Sequence, residues 1–82
     1  MQIAFKLTWT ESERGWGTRP DGYSLHLSEN HAKKYVDDYW KKMPKDIPDE
    51  YSRPDQDVAF PIDISDVIAE ELKIKKNLRY WK

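Results

Sequence analysis

A strict alternation of apolar and polar residues opens the chain and limits what it can fold into. In residues 2–10, QIAFKLTWT, every second residue is apolar: Ile3, Phe5, Leu7 and Trp9. A period of two is typical of a β-strand that buries one face. Residues 22–28, GYSLHLS, repeat the alternation, with Tyr23, Leu25 and Leu27 predicted to face inward and Ser24 and His26 outward. We therefore predict two antiparallel strands.

The segment between these strands, ESERGWGTRPD, is predicted to be a long hairpin loop. Within it, residues 19–22 read Arg-Pro-Asp-Gly, an order that favours a type I turn. Trp16 lies between two glycines and allows two interpretations. Its indole either folds back over a thin core or stands exposed beside Arg14 and Arg19. The exposed position is favoured, because a simple hairpin needs only about two to five loop residues.

Two apolar stripes with helical spacing follow, each behind a serine that can cap a helix. Ser28 precedes a stripe that Pro44 ends: Ala32, Tyr35, Val36, Tyr39, Trp40 and Met43. Ser65 precedes DVIAEELKIKK, whose predicted inward residues are Val67, Ile68, Leu72 and Ile74. Asn77 is the predicted stop of this second helix.

The remaining segments complete the predicted fold. Residues 44–57 hold three prolines and no period, which predicts a long loop. Residues 58–64 alternate again, and Pro61 assigns that strand to an edge of the sheet. The last residues, LRYWK, are predicted to add a closing strand. We predict one α+β domain over residues 1–82, with a small, mainly antiparallel sheet of three to four strands. Two helices pack on one face, in the order β-β-α-β-α-(β).

The composition excludes several kinds of chemistry. The chain has 82 residues and no cysteine, which removes disulfides, thiolate catalysis and the common zinc sites. No apolar run approaches the roughly 20 residues of a membrane span, and the N-terminus lacks a signal-peptide pattern. We expect a cytoplasmic protein with no membrane partner and no cofactor.

A search for catalytic and metal-binding residues gives only weak candidates. His26 and His31 are the two histidines, and with Arg19, Asp21 or Tyr23 they suggest acid–base chemistry of the ribonuclease kind. The simpler interpretation makes both histidines ordinary polar surface residues, because no third group is spaced to orient either ring. The acids near Asp55 do not match a calcium loop. We predict no catalytic and no metal site, and keep a small hydrolase as the second alternative.

Charge is divided along the chain although the net charge is only −1. Residues 46–71 hold nine acids and one base, whereas residues 72–82 hold five bases and no acid. The basic tail carries a set that would suit single-stranded nucleic acid: Lys75, Lys76, Arg79, Tyr80 and Trp81. This nucleic-acid binder is the first alternative function. Its competing interpretation is a helix end followed by a packed strand.

The leading prediction is a non-enzymatic module that binds a protein partner and blocks it by occlusion. The predicted contact residues are Arg14, Trp16 and Arg19 as anchors and Asp49, Glu50, Asp55 and Asp57 as a steering patch. Tyr51 is either a peg that pins the long loop or a further contact. The acids predict a partner with a basic surface, such as a nucleic-acid-processing enzyme. The edge strand at 58–64 leaves a homodimer by strand pairing open.

In size and style the chain is similar to the small, cysteine-free, single-domain proteins that phages and mobile elements encode. Many of those proteins bind and block a host factor, CRISPR nucleases among them. The similarity covers no motif of this chain. It implies an inhibitor of a host defence or nucleic-acid-processing complex.

Overall fold

The alternating N-terminal segment forms a twelve-residue strand, β1 (Gln2–Glu13), on which the rest of the sheet is assembled. The computed structural model describes residues 2–13, 15–43 and 50–81. After β1 come β2 (Gly17–His26), α1 (Glu29–Lys42), β3 (Glu50–Pro54), β4 (Phe60–Ile64), α2 (Asp66–Lys75) and β5 (Asn77–Tyr80). Every strand pair is antiparallel. The predicted α+β class and the order of the elements are confirmed, with β3 as an additional strand.

β1 is long enough to serve two strands along one of its edges. Its first half, Gln2–Lys6, pairs with β4, and its second half, Trp9–Glu13, pairs with β3. The opposite edge of β1 pairs with β2, which in turn pairs with β5. The strand order is therefore β3-β1-β2-β5, with β4 beside β3 on the same edge of β1. β4 is an edge strand, as Pro61 predicted.

The two helices cover opposite faces of this sheet. α1 packs through Ala32, Tyr35 and Val36 on a cluster that holds Leu7 and Trp9. α2 packs through Leu72 and Ile68 on a cluster that holds Ala4, Leu25 and Leu78. Successive side chains of a strand point to opposite faces. Leu7 and Leu25 therefore lie on opposite faces of the sheet, and the prediction that both helices pack on one face is wrong.

A sheet covered on both sides buries side chains of both parities. Ser24 and His26, predicted to face outward, are fully buried beneath α1, while their neighbour Leu25 is buried on the α2 side. Ala4 is buried for the same reason, and Ile3, predicted to be inward, is exposed at the end of β1. The prediction that His26 faces outward is therefore wrong, because it assumed that only one face of the strand is buried.

The hairpin between β1 and β2 is tighter than predicted. β1 continues to Glu13 and β2 begins at Gly17, so most of the predicted loop is strand. Residues 19–22 lie within β2, where the register with β1 shifts between Thr8 and Thr10. Residues 11–13 carry no apolar alternation, and they pair with β2 through the backbone and through the side chains of Glu11 and Arg19. The sequence pattern could not reveal this pairing.

β3 falls inside the segment predicted to be a loop over 44–57, of which 44–49 lie outside the described residues. The hydroxyl of Tyr39 donates to the carbonyl oxygen of Ser52 (2.5 Å) and accepts from its amide (3.1 Å). This phenol satisfies backbone groups that a strand edge otherwise leaves open to pairing. Tyr39 thus fixes β3 to α1.

The helix predictions are confirmed at their starts and corrected in detail. Ser28 and Ser65 cap α1 and α2, and each side chain accepts from the backbone amide three residues on. In α2 the buried residues are Ala69 and Leu72, whereas Val67 and Ile74, predicted inward, are exposed. Lys76, at φ 69°, ends the helix one residue before Asn77. Within the described residues, neither helix is long and apolar enough to cross a membrane.

Candidate functional site

The tip of the β1–β2 hairpin carries the most exposed large apolar side chain of the described residues. Trp16 is 83 % exposed, and its amide donates to the carbonyl of Glu13 (3.0 Å). Gly15 and Gly17 on either side have φ of 84° and 90°, values that side chains with a Cβ rarely adopt. The glycines therefore set a tight reversal that holds the indole outward. Of the two interpretations of Trp16, the exposed one agrees with the structure.

This tip stands at one end of an elongated molecule. The principal extents are 43 × 23 × 18 Å, and a twelve-residue strand spans about 40 Å. β1 thus runs along most of the long axis and ends in the Trp16 turn. The arm is the outer part of the β1–β2 hairpin, which carries this tip. β3 pairs with β1 as far as Glu13 and supports the arm.

Arg19 braces the same arm. Its guanidinium donates to the carboxylate of Glu11 on the paired strand, with Nη2 to Oε1 at 3.0 Å and Nε to Oε2 at 3.3 Å. Such a forked geometry aligns both groups, although an exposed pair adds little stability. Arg14, the other predicted anchor, lies outside the described residues. Trp16 and Arg19 thus lie on the same hairpin, with Arg19 paired to Glu11.

Of the predicted acidic patch, the structure describes the side chains of Asp55 and Asp57, both of which are exposed. Asp49 and the side chain of Glu50 lie outside the described residues. Asp55 is held by the hydroxyls of Thr8 (2.7 Å) and Thr10, and its amide donates to the carbonyl of Thr8 (2.8 Å). Asp55 therefore fixes the β3–β4 connection to β1, while Asp57 is exposed to solvent.

Gln56 completes this tie between the connection and β1. Its side-chain oxygen accepts from the amide of Thr8 (2.9 Å), and its side-chain nitrogen donates to the Thr8 hydroxyl (2.8 Å). Thr8 lies in the gap where β4 has ended and β3 has not begun. Side chains of residues 55 and 56 thus replace a strand at that point of the edge.

Tyr51 is half-buried on β3. Its ring lies 6.5 Å from that of Trp40, measured between centroids. Trp40 in turn meets Tyr39 edge to face, at 5.2 Å. Tyr51 therefore packs toward α1, as the peg interpretation predicts.

The basic tail is largely used for internal contacts. Arg79 on β5 pairs with Asp21 on β2, with Nη2 to Oδ2 at 3.2 Å. Its guanidinium also donates to the carbonyl oxygens of Tyr23 and Tyr80 and stacks between Trp9 (4.9 Å) and Trp81 (3.8 Å). The guanidinium of Arg79 is thus occupied by internal contacts and is not exposed for the predicted binding of nucleic acid.

The other tail residues are placed as follows. Lys75 pairs with Glu71 (3.3 Å), and the ammonium of Lys76 donates to the carbonyl of Lys73 (2.7 Å). Tyr80 stacks on Tyr23, with ring centroids 4.7 Å apart. Within the described tail, Trp81 is the exposed aromatic residue, and it rests on Arg79.

His26 lies in a closed chain of hydrogen bonds beneath α1. Its Nδ1 is 2.7 Å from Oδ1 of Asn77, its Nε2 is 2.7 Å from Oγ of Ser24, and Ser24 accepts from the indole of Trp9 (2.8 Å). The amide oxygen of Asn77 requires a proton on Nδ1, and in the neutral ring Nε2 then accepts from the Ser24 hydroxyl. Burial lowers the pKa of His26 below 6.5, against the opposing hydrogen bond to Asn77.

This Ser–His–Asn order has the connectivity of a nucleophile, a base and an orienting group. The hydroxyl oxygen of Ser24 is nevertheless buried and already accepts a hydrogen bond from the indole of Trp9. A substrate could not reach Ser24 in this arrangement, because its side chain is fully buried. The chain of hydrogen bonds instead fixes β2, β5 and Trp9 to one another. His31 is separate: its Nδ1 meets Oγ of Ser28 (2.6 Å) at the N-cap of α1. The structure does not bring the two histidines into one exposed site.

A cleft of about 550 Å³, which the sequence did not reveal, lies between α1 and residues 53–59. Its apolar floor is formed by Leu7, Ala32 and Ala59, and its sides include Trp40 and Val58. Its volume falls within the roughly 300–1,000 Å³ of small-ligand sites. In the residues the structure covers, no three His, Asp or Glu side chains gather into a group that could hold a metal ion.

Comparisons with known proteins add no relative. No protein-family model, no curated protein sequence and no solved structure matches this chain.

Proposed function

We propose that the chain is a protein-binding module that uses the Trp16 hairpin tip as its anchor and acts by occluding a partner's surface. The observation that carries this proposal is the exposed indole at the end of a braced arm. Exposing a large aromatic side chain costs solvation free energy that its burial against a partner would recover.

The tip has the properties of an interface hot spot. Tryptophan and arginine dominate measured hot spots, and Arg19 lies on the same arm. The turn is short and β1 behind it is paired with β2 on one side and β3 on the other, so little conformational entropy would be lost on binding. A preorganised arm that projects one indole is suited to enter a pocket of a partner.

The charge distribution suggests the kind of partner. Asp57, Asp63 and Asp66 are exposed, and residues 46–71 hold nine acids against one base. Such a segment favours approach to a basic surface and raises the association rate. A nucleic-acid-processing enzyme offers such a surface, and an inhibitor of a host defence complex would fit this scheme.

Affinity capture tests the proposal. Tagged wild-type protein and the Trp16→Ala, Trp16→Phe and Ile74→Ala variants are used to capture proteins from lysate, with and without nuclease. We expect one protein that wild type and Ile74→Ala retain, that resists nuclease, and that Trp16→Ala loses. Trp16→Phe should retain part of the binding, because it keeps an aromatic ring at the tip.

Ile74 is the matched control, since it is an equally exposed apolar residue on a different element. Circular dichroism and urea unfolding must show that Trp16→Ala is folded. Equal capture by wild type and Trp16→Ala would contradict the proposal. Capture that nuclease abolishes and that ignores Trp16 would support the alternative of a nucleic-acid binder.

A further inference from the structure

We infer that the outer edge of β5 pairs with the same edge of a second copy of this chain, so that two sheets join into one. β5 is paired with β2 on one side, and no described strand lies on its other side. A free edge carries a row of main-chain donors and acceptors, which another strand satisfies in register. The edge therefore selects a strand as its occupant.

The backbone groups that point away from the sheet on β5 belong to Asn77 and Arg79. The amide of Leu27 donates to the carbonyl oxygen of Lys76 (3.0 Å), so these two residues continue the β2–β5 ladder as a hydrogen-bonded pair. Hydrogen-bonded and non-hydrogen-bonded pairs alternate along such a ladder. Asn77 and Arg79 therefore turn their N–H and C=O groups outward. In the part of the chain that the structure describes, these four groups have no hydrogen-bond partner.

The other strand edges lack such a pair of residues. On β3, the Tyr39 hydroxyl takes up the amide and the carbonyl oxygen of Ser52, and Pro54 has no N–H. On β4, the same alternation followed through β2 and β1 turns the nitrogen of Pro61 outward, where it offers no donor. Pro20 interrupts the unpaired outer half of β2 in the same way. Sheets blunt their edges with proline and with covering side chains, and among the described strands β5 is left open.

A two-fold arrangement centred on Leu78 satisfies all four outward groups. When Leu78 lies opposite its counterpart, Asn77 of each copy lies opposite Arg79 of the other. Each such pair exchanges two main-chain hydrogen bonds, so the contact holds four. It is closed, because the same residues serve on both copies. Arg79 adds no repulsion across the axis, since its guanidinium is bonded to Asp21 of its own chain.

A second copy is the strand that the observations favour as the occupant. Its β5 has the required donors and acceptors free in a matching register, and Trp81 directly after β5 is 66 % exposed beside the contact. Four residues on each side bury far less than the roughly 1,200 Å² of a stable interface, so association requires a high protein concentration. The inference does not rest on the proposed function, because the Trp16 tip is not part of this edge.

Methylation of one backbone nitrogen tests the edge without changing a side chain. The chain has no cysteine, so residues 1–58 as a thioester can be ligated to synthetic residues 59–82 that begin with cysteine, which desulfurisation converts into the native Ala59. Methylation of the Arg79 nitrogen removes an outward donor and places a methyl group in the path of the second strand. Leu78 before it is extended, a conformation that tolerates a substituted nitrogen on the next residue.

Methylation of the Asp66 nitrogen is the matched control. Asp66 is the first residue of α2, where an amide has no partner within the helix, and Ser65 before it is extended at ψ 160°. Sedimentation velocity from micromolar to millimolar concentration compares the two methylated proteins with wild type. We expect wild type and the protein methylated at Asp66 to dimerise. The association constant should be at least about tenfold lower after methylation at Arg79.

Hydrogen exchange on the wild-type protein locates the contact. The Asn77 and Arg79 amides should exchange more slowly at millimolar than at micromolar concentration, whereas the Leu78 amide, which bonds to β2 in both states, should not change. This readout decides the question even if the protein methylated at Arg79 does not fold. A wild-type protein that stays monomeric would overturn the inference and leave the edge to a strand of another protein. Dimerisation with unchanged exchange at Asn77 and Arg79, or dimerisation that a folded protein methylated at Arg79 retains in full, would also overturn it.

Discussion

Arg79 and Asp21 form a buried ion pair that joins β5 to β2, with 9 % and 10 % of their side chains exposed. The Asp21 carboxylate also accepts from the hydroxyl of Ser52, so the pair connects β5, β2 and β3. Arg79→Met would leave this carboxylate buried without its partner. We expect a loss of about 3–5 kcal/mol in the free energy of unfolding, measured by urea denaturation.

Lys75→Met is the matched control for that variant. It breaks the exposed pair with Glu71, and we expect a loss of less than about 0.5 kcal/mol in the free energy of unfolding. For a chain of 82 residues the whole stability is roughly 4–12 kcal/mol, so Arg79→Met should lower the urea midpoint severely. Equal effects of the two substitutions would show that the Arg79 pair is not a structural centre.

The buried ring of His26 predicts a stability that falls in acid. Its folded pKa lies below 6.5 because burial disfavours the charged ring, with the charge of His31 adding to that effect. Unfolded chains therefore bind a proton at His26 that folded chains do not. The free energy of unfolding should be highest above pH 6.5 and fall, by up to about 1.4 kcal/mol per pH unit, as the pH drops from 6.5 toward the folded pKa.

Urea unfolding at a series of pH values checks this, with His26→Gln as the comparison. The variant keeps all carboxylates and should lose only the part of the slope that His26 supplies. An NMR titration of His26 gives a second readout, since the ring should take up its proton at a lower pH than an exposed histidine does. A pKa of 6.5 or above in the folded protein would contradict the buried, neutral ring.

Tyr39 holds the free edge of β3 through its hydroxyl. Tyr39→Phe removes both hydrogen bonds to Ser52, and we expect a loss of about 1–3 kcal/mol, with faster hydrogen exchange of the Ser52 amide. Tyr35→Phe is the control, because Tyr35 contacts Trp9 and His26 through its ring. If Ser52 exchanges equally fast in both variants, the edge is held by something other than this hydroxyl.

Two aspartates of the predicted acidic patch should behave differently. Asp55→Ala removes the acceptor for Thr8 and Thr10, so we expect about 1–2 kcal/mol of destabilisation. Asp57→Ala should stay within about 0.5 kcal/mol of wild type, since its carboxylate, unlike that of Asp55, accepts from neither threonine. Thermal unfolding of the two variants compares them, and equal melting temperatures would contradict the structural role of Asp55.

Local signals carried much of the fold prediction. The strand at residues 2–10, the serine caps at Ser28 and Ser65, and Pro61 at an edge each depend on neighbours in sequence, and each is confirmed. The class follows from them. The closing strand after α2 is also confirmed, as Asn77–Tyr80.

The errors came from information that is not local. Nothing in the sequence states that a sheet is covered on both faces, so His26 was placed outside when it lies at the centre. β3 and the outer half of the hairpin are polar strands without an apolar alternation, and the pairing of β3 depends on a partner, β1, that is distant in sequence. Arg79 has the residue type of a phosphate contact, and only the fold shows that Asp21 and Trp9 enclose it. The exposure of Trp16 agrees with the prediction, but the reason given for it, a long loop, does not hold: the turn is short and is set by Gly15 and Gly17.

The most direct test of the central claim is the affinity of the captured partner for wild type and Trp16→Ala, measured by isothermal titration calorimetry. If the tip is the anchor, Kd should rise at least about 30-fold in Trp16→Ala, which corresponds to about 2 kcal/mol. Trp16→Phe should lie between the two, and Ile74→Ala should match wild type. A Kd for Trp16→Ala within about threefold of wild type would show that binding does not use the hairpin tip.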